Sequence, residues 1–120
     1  IAVIKEKRQN IYQFYTEALS SVGGIVIPPP LSAGVLPFIF VIRVLNGRRG
    51  VFIDFMSAAG VDTGIHWQPG HRFSYFEECR KGDLSVTDMI ADQIVTIPFY
   101  PDLTLEQAKM IVDAIKGFFG

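Results

Sequence analysis

Cysteine is nearly missing. Cys79 is the only one in 120 residues, which excludes an internal disulfide framework and suits a reducing, cytoplasmic setting. Charge is sparse and balanced: 11 Lys and Arg against 12 Asp and Glu give a formal net charge of -1. No basic run offers the clustered cations that a phosphate backbone requires, so nucleic acid is not an expected partner. Long apolar runs are lacking too. The richest, Val35 to Leu45, is interrupted by Pro37 and Arg43 and falls short of the roughly 20 residues needed to span a bilayer, so no membrane partner is expected. There is no charged stretch followed by an apolar segment and cleavage site, hence no visible secretory signal. The chain opens on Ile1 rather than Met, within a pattern that is already helical, and is read as a piece cut from something longer. Neither a fixed-period repeat nor a low-complexity run beyond the prolines is present, which excludes a solenoid.

What remains is an ordinary globular composition, 49% hydrophobic and 19% charged, with the length of one domain covering residues 1–120. A chain of this size buries about two-thirds of its unfolded surface and needs no metal or disulfide to hold a core.

Ile4, Ile11, Tyr15, Ala18 and Leu19 share one face of an amphipathic helix from Ile1 to about Leu19. Ser20 to Gly24 stops it, glycine taking the left-handed cap conformation, and Ile25-Val26-Ile27 reads as a short strand. Pro28-Pro29-Pro30 opens a loop through residue 36, because three backbone donors are gone. Phe38 to Leu45, rich in β-branched and aromatic residues, is the best strand, and its unbroken apolarity implies a central place in the sheet.

Arg48 to Ala59 has helical spacing with Gly60 as its cap, and Val61 to Gln68 is a strand candidate ended by Pro69-Gly70. Arg72 to Asp83 suggests a helical turn and a loop. Ser85-Val86-Thr87-Asp88 resembles a capping box opening a short helix, and the strand Ile94 to Ile97 follows. Thr104-Leu105-Glu106-Gln107 is a second capping box, heading a helix whose stripe is Ala108, Ile111, Val112, Ile115 and Phe119. The expected fold is α/β of the α+β type: a two-layer sandwich of a small, mostly antiparallel sheet packed against helices.

Two segments are more specific. Gly64-Ile65-His66-Trp67-Gln68-Pro69-Gly70-His71-Arg72-Phe73, followed by Ile97-Pro98-Phe99-Tyr100-Pro101-Asp102-Leu103-Thr104, resembles the end of the DegT/DnrJ/EryC1/StrS sugar aminotransferases. That family closes with a Gly-Ile strand leading to a His-Tyr-x-Pro-x-His motif, an aromatic turn, a Leu-Pro strand and a Pro-x-Leu-Thr step into the last helix; here Trp67 stands where Tyr is common. The resemblance runs from the first helix to Phe119 and corresponds to the family's small C-terminal domain, like that of fold-type I enzymes.

It implies a cytoplasmic parent enzyme that uses pyridoxal phosphate (PLP) to move an amino group from glutamate onto a nucleotide-linked keto sugar, and that works as a homodimer. The family's Schiff-base lysine lies in the larger preceding domain. Lys5 and Lys7 occupy the polar side of the first helix, Lys81 a charged loop, and Lys109 and Lys116 the wet face of the last helix, so the fragment is expected to be inactive alone, without a cofactor of its own and without catalytic residues. Its expected contribution is one wall of the substrate cleft: His66 and His71 as hydrogen-bonding imidazoles, Trp67 as a stacking surface, Arg72 as a phosphate partner.

Other readings are bland or weaker. Trp67 as a core residue and His71 as a surface histidine need no ligand. His66, His71 and Cys79 match no metal-ligand spacing, so no metal is expected. Cys79 with His71 lacks an orienting third group for nucleophilic work, and a buried or incidental thiol is preferred. Arg48 and Arg49 at a helix start mark either an anion or subunit contact or, preferably, solvated side chains. The alternative in another class is a freestanding α/β binding or dimerisation module without catalysis.

Overall fold

The computed structural model describes all of residues 1–120. The first helix, α1 (Ala2–Leu19), buries Ile11, Tyr12, Tyr15 and Leu19. It ends with Ser20 still right-handed, and the left-handed turn comes only at Gly24, where φ is +88°. A short strand, β1 (Ile25–Val26), leads into the proline loop, and β2 (Phe40–Val44) follows. The helix α2 (Arg49–Ala58) closes on Gly60 at φ +79°, with Val61 N–H donating to Met56 O and Gly60 N–H to Ser57 O, the paired bonds of a Schellman cap. Then come α3 (Ser85–Ala91), β3 (Ile94–Ile97) and α4 (Leu105–Phe119).

The sheet is antiparallel in the order β1-β2-β3, which gives β2 the central place its composition demands. Alternation sorts its side chains. Phe40, Ile42 and Val44 are buried and pair with Ile97, Val95 and Ile25, also buried, making one apolar face. Against it lie Tyr12, Tyr15 and Leu19 of α1, Phe52 and Met56 of α2, and Ala108, Ile111, Val112 and Ile115 of α4, which touches both other helices. The architecture is the two-layer α/β sandwich expected. Aromatic edges lock its centre: Phe40 stands 4.9 Å from Tyr12 and 5.1 Å from Tyr15 between ring centroids. Thr104 caps α4 with the full reciprocal box, its side chain accepting from Gln107 N–H and Gln107 Oε1 accepting from Thr104 N–H.

Three expectations need correction. Val61 to Gln68 is not a strand: only Gly64 pairs, with Thr96, because Asp62 and Gly64 are poor strand formers and Pro69 brings no donor. The box expected at Ser85 does not form either. Asp83 Oδ1 accepts the Ser85 N–H at 3.0 Å, and Asp88 is occupied elsewhere. Arg48 is exposed, as expected of a solvated arginine, although its guanidinium lies 4.4 Å from the Phe118 ring centre; Arg49 is half-buried instead, its Nη1 donating to Ala91 O.

Candidate substrate-facing segment

The second face of the sheet, carrying Val41, Arg43, Ile94 and Thr96, is only partly covered, and the segment from Gly64 to Arg72 starts there. Two backbone bonds fasten it, Gly64 N–H to Thr96 O at 3.0 Å and Thr96 N–H to Gly64 O at 2.7 Å. Beyond them the chain leaves the sheet. His66 folds back so that its Nδ1 lies 3.2 Å from Thr96 Oγ1, while Trp67 stays 66% exposed, with its ring 6.3 Å from that of Phe38, itself 58% exposed. Two single 3-10 turns follow, Gly70–Arg72 and Ser74–Phe76, as the sequence suggested for a helical turn and loop. They present Phe73, Tyr75 and Phe76 to solvent.

The four candidate residues therefore divide into two pairs. His66 and Trp67 form an outward wall with Phe38. His71 and Arg72 turn inward to α3: His71 Nε2 is 2.8 Å from Asp88 Oδ1, Arg72 Nε donates to the same oxygen at 2.8 Å, and Arg72 Nη1 donates to Asp92 Oδ1 at 2.7 Å. Arg72 Nη2 also donates to Asp88 O. Arg72 thus meets two carboxylates of its own fold, and reaching a phosphate means loosening them. The cluster shifts its members accordingly. His71 first and Arg72 second hold the Asp88 carboxyl below the usual carboxylate range, Arg72 does the same for Asp92, and the two aspartates raise the guanidinium further.

Sequence reading missed Asp88, Asp92, Thr96, Gly64 and Phe38. The aspartates carried a signal, since their i,i+4 spacing puts both on one side of α3. No three His, Cys, Asp or Glu side chains converge to hold a metal ion, and Cys79 is exposed rather than buried. A groove of about 590 Å³ runs between α1 and the loop around Leu31, lined by Gln9, Gln13 and Glu17 and by none of the four candidates. No helix is long and apolar enough to cross a membrane.

The model of the DegT/DnrJ/EryC1/StrS aminotransferase family matches residues 1–116. The chain belongs to that family. Solved structures agree with this DegT/DnrJ/EryC1/StrS domain in fold. A family aminotransferase from Brucella abortus superposes with a TM-score of 0.84 at 26% identity, covering 97% of this chain and 31% of its own. The sugar aminotransferase CalS13 from Micromonospora echinospora gives 0.80 at 22% over 94% of this chain and 30% of its own. NtdA from Bacillus subtilis, solved with bound cofactor PMP, gives 0.84 at 21% over 94% of this chain and 28% of its own. The DegT/DnrJ/EryC1/StrS domain described here therefore spans about a third of the length of these proteins.

All five lysines are at least partly exposed. Lys7 pairs with Asp102 at 3.4 Å, and no lysine bonds to any member of the His66–Arg72 group.

Proposed function

We propose that this chain is the C-terminal small domain of a cytoplasmic, homodimeric PLP-dependent sugar aminotransferase, and that it supplies one wall of the cleft receiving a nucleotide-linked keto sugar, with glutamate as amino donor. Residues outside this chain provide the Schiff-base lysine and the cofactor contacts. The observation that carries the reading is the His66–Trp67 wall: an imidazole and an indole held side by side, exposed, on a segment with no part in the core. The indole stacks against a sugar or base ring, and the imidazole hydrogen-bonds a hydroxyl or phosphate oxygen. His71 and Arg72 act from behind, holding the following turns on α3, with Arg72 reaching substrate phosphate only when Asp88 or Asp92 lets go. Family membership, the PMP-bound relative and the named sugar aminotransferase among the structural neighbours support the reaction class.

The test uses the parent protein. Incubated with glutamate and a keto sugar nucleotide, it releases 2-oxoglutarate, and Trp67→Ala lowers turnover at subsaturating sugar nucleotide by about tenfold, the worth of a lost aromatic stack. Because Trp67 is the only tryptophan, UDP-glucose also quenches or shifts the emission of this chain. Absence of 2-oxoglutarate with every keto sugar nucleotide tried, or unchanged kinetics in Trp67→Ala, refutes the proposal.

A further inference from the structure

We infer that Gly64 and Thr96 form a positioning pair for His66: glycine provides the floor on which the imidazole rests, and the threonine hydroxyl holds Nδ1 so that Nε2–H points outward as a donor. A Cβ added to Gly64 would stand 2.4 Å from His66 Cε1 and 3.0 Å from Nδ1, so the ring lies directly on the glycine backbone, an approach closed to any other residue. The φ of Gly64 is not positive. What glycine contributes here is space rather than conformational freedom. Thr96 is the one polar residue in the strand Ile94-Val95-Thr96-Ile97, and it is 9% exposed. Its hydroxyl has a single hydrogen-bond partner, His66 Nδ1 at 3.2 Å, whereas valine would fill the same volume without one.

A nearly buried hydroxyl with only a ring nitrogen in reach donates to it, because its hydrogen has no other destination. The imidazole proton is thereby placed on Nε2, the remaining ring nitrogen of an exposed residue. The two holds are themselves fixed to each other by the reciprocal backbone bonds between Gly64 and Thr96. An outward Nε2–H selects an oxygen acceptor, a phosphate or hydroxyl of the ligand. That last step rests on the sugar-nucleotide reading above; the positioning does not.

The test is NMR on the isotope-labelled chain at about pH 8, above the ordinary imidazole range. The wild type shows an unprotonated Nδ1, a protonated Nε2, and a strong NOE between His66 Hε1 and a Gly64 Hα. Thr96→Ser preserves all three. Thr96→Val shifts the tautomer ratio toward Nδ1–H by about fivefold, the bias one neutral hydrogen bond supports, and weakens the NOE. Cross-strand NOEs between residues 64 and 96 report that the bridge persists. Gly64→Ala removes the ring from its seat; should that variant fail to fold, the wild-type NOE and the serine–valine pair still decide. A wild-type His66 protonated on Nδ1, or a Thr96→Val spectrum matching wild type, overturns the inference. Adding UDP-glucose separates the two ideas: an intact signature with no binding refutes the sugar reading, while binding that weakens in Thr96→Val and recovers in Thr96→Ser supports both.

Discussion

Replacing Tyr15 with Phe removes one oxygen from the middle of the core and leaves the ring packing in place. Tyr15 is fully buried, its ring is 5.1 Å from Phe40, and its hydroxyl donates to Pro98 O at 2.9 Å across 83 residues of sequence. The Phe variant orphans that carbonyl, at a cost of about 1–2 kcal/mol. With an unfolding entropy of about 2.1 cal/mol/K per residue, a chain of 120 residues loses about 4–8 °C in Tm. The same burial pushes the phenol pKa well above its ordinary 10.0, with the Tyr100 charge as the second cause.

The sign follows from linkage. A raised folded pKa means the contribution is complete below pH 10.0, where both states keep the proton, and is lost as pH climbs toward the folded value because the unfolded chain ionises first. The loss runs at about 1.4 kcal/mol per pH unit in wild type and is absent in Tyr15→Phe, so the gap closes near pH 11. Urea unfolding followed by circular dichroism from pH 7 to pH 11 measures it. A difference that stays constant over that range, or no difference at pH 7, refutes the reasoning.

The clamp on α3 and the turn after α1 give two more expectations. Asp88→Asn removes the charge that His71 and Arg72 share and leaves Arg72 only Asp92 and a backbone carbonyl, so amide exchange over residues 70–77 and tryptic cleavage after Arg72 speed up several-fold at neutral pH while global unfolding barely changes. Because the Asp88 carboxyl is held below 3.8, chiefly by His71, the wild-type clamp is complete above that pH and opens as pH falls further; protection unchanged in the variant contradicts this. Gly24→Ala places a Cβ 2.8 Å from Phe119 Cδ1 at a φ of +88°, and destabilises by about 1–3 kcal/mol in urea; a neutral result shows that Phe119 and the turn yield freely.

The elements that fold by local rules were legible in the sequence. Thr104 through Gln107 spelled a capping box, the stripe from Ala108 to Ile115 spelled a buried face, and Phe38 to Leu45 announced a central strand, each because propensity and periodicity point the same way. The family was legible from the Gly64-to-Phe73 and Ile97-to-Thr104 segments. What could not be read was set by partners distant in sequence. Val61 to Gln68 has apolar residues enough for a strand, yet it meets the sheet only through Gly64, which bridges to Thr96, 32 residues further along the chain. The two histidines look alike in sequence, five residues apart around Pro69. Thr96, 30 residues beyond one, and Asp88, 17 beyond the other, give them opposite orientations.

That division has a thermodynamic consequence. No residue from 62 to 90 enters the buried cluster that unites α1, α2, α4 and the sheet. The segment carrying His66, Trp67, His71 and Arg72 is attached by polar links instead: one backbone bridge at Gly64, one hydroxyl at Thr96, and the carboxylates of Asp88 and Asp92. Such links are directional and individually weak, whereas the core is held by burial that no single one of them disturbs. Substitutions in this segment therefore change the surface the domain presents before they change whether it folds. The links also differ in reach. Thr96 and Gly64 meet one imidazole, while Asp88 meets both His71 and Arg72, so losing Asp88 loosens more of the segment than losing Thr96.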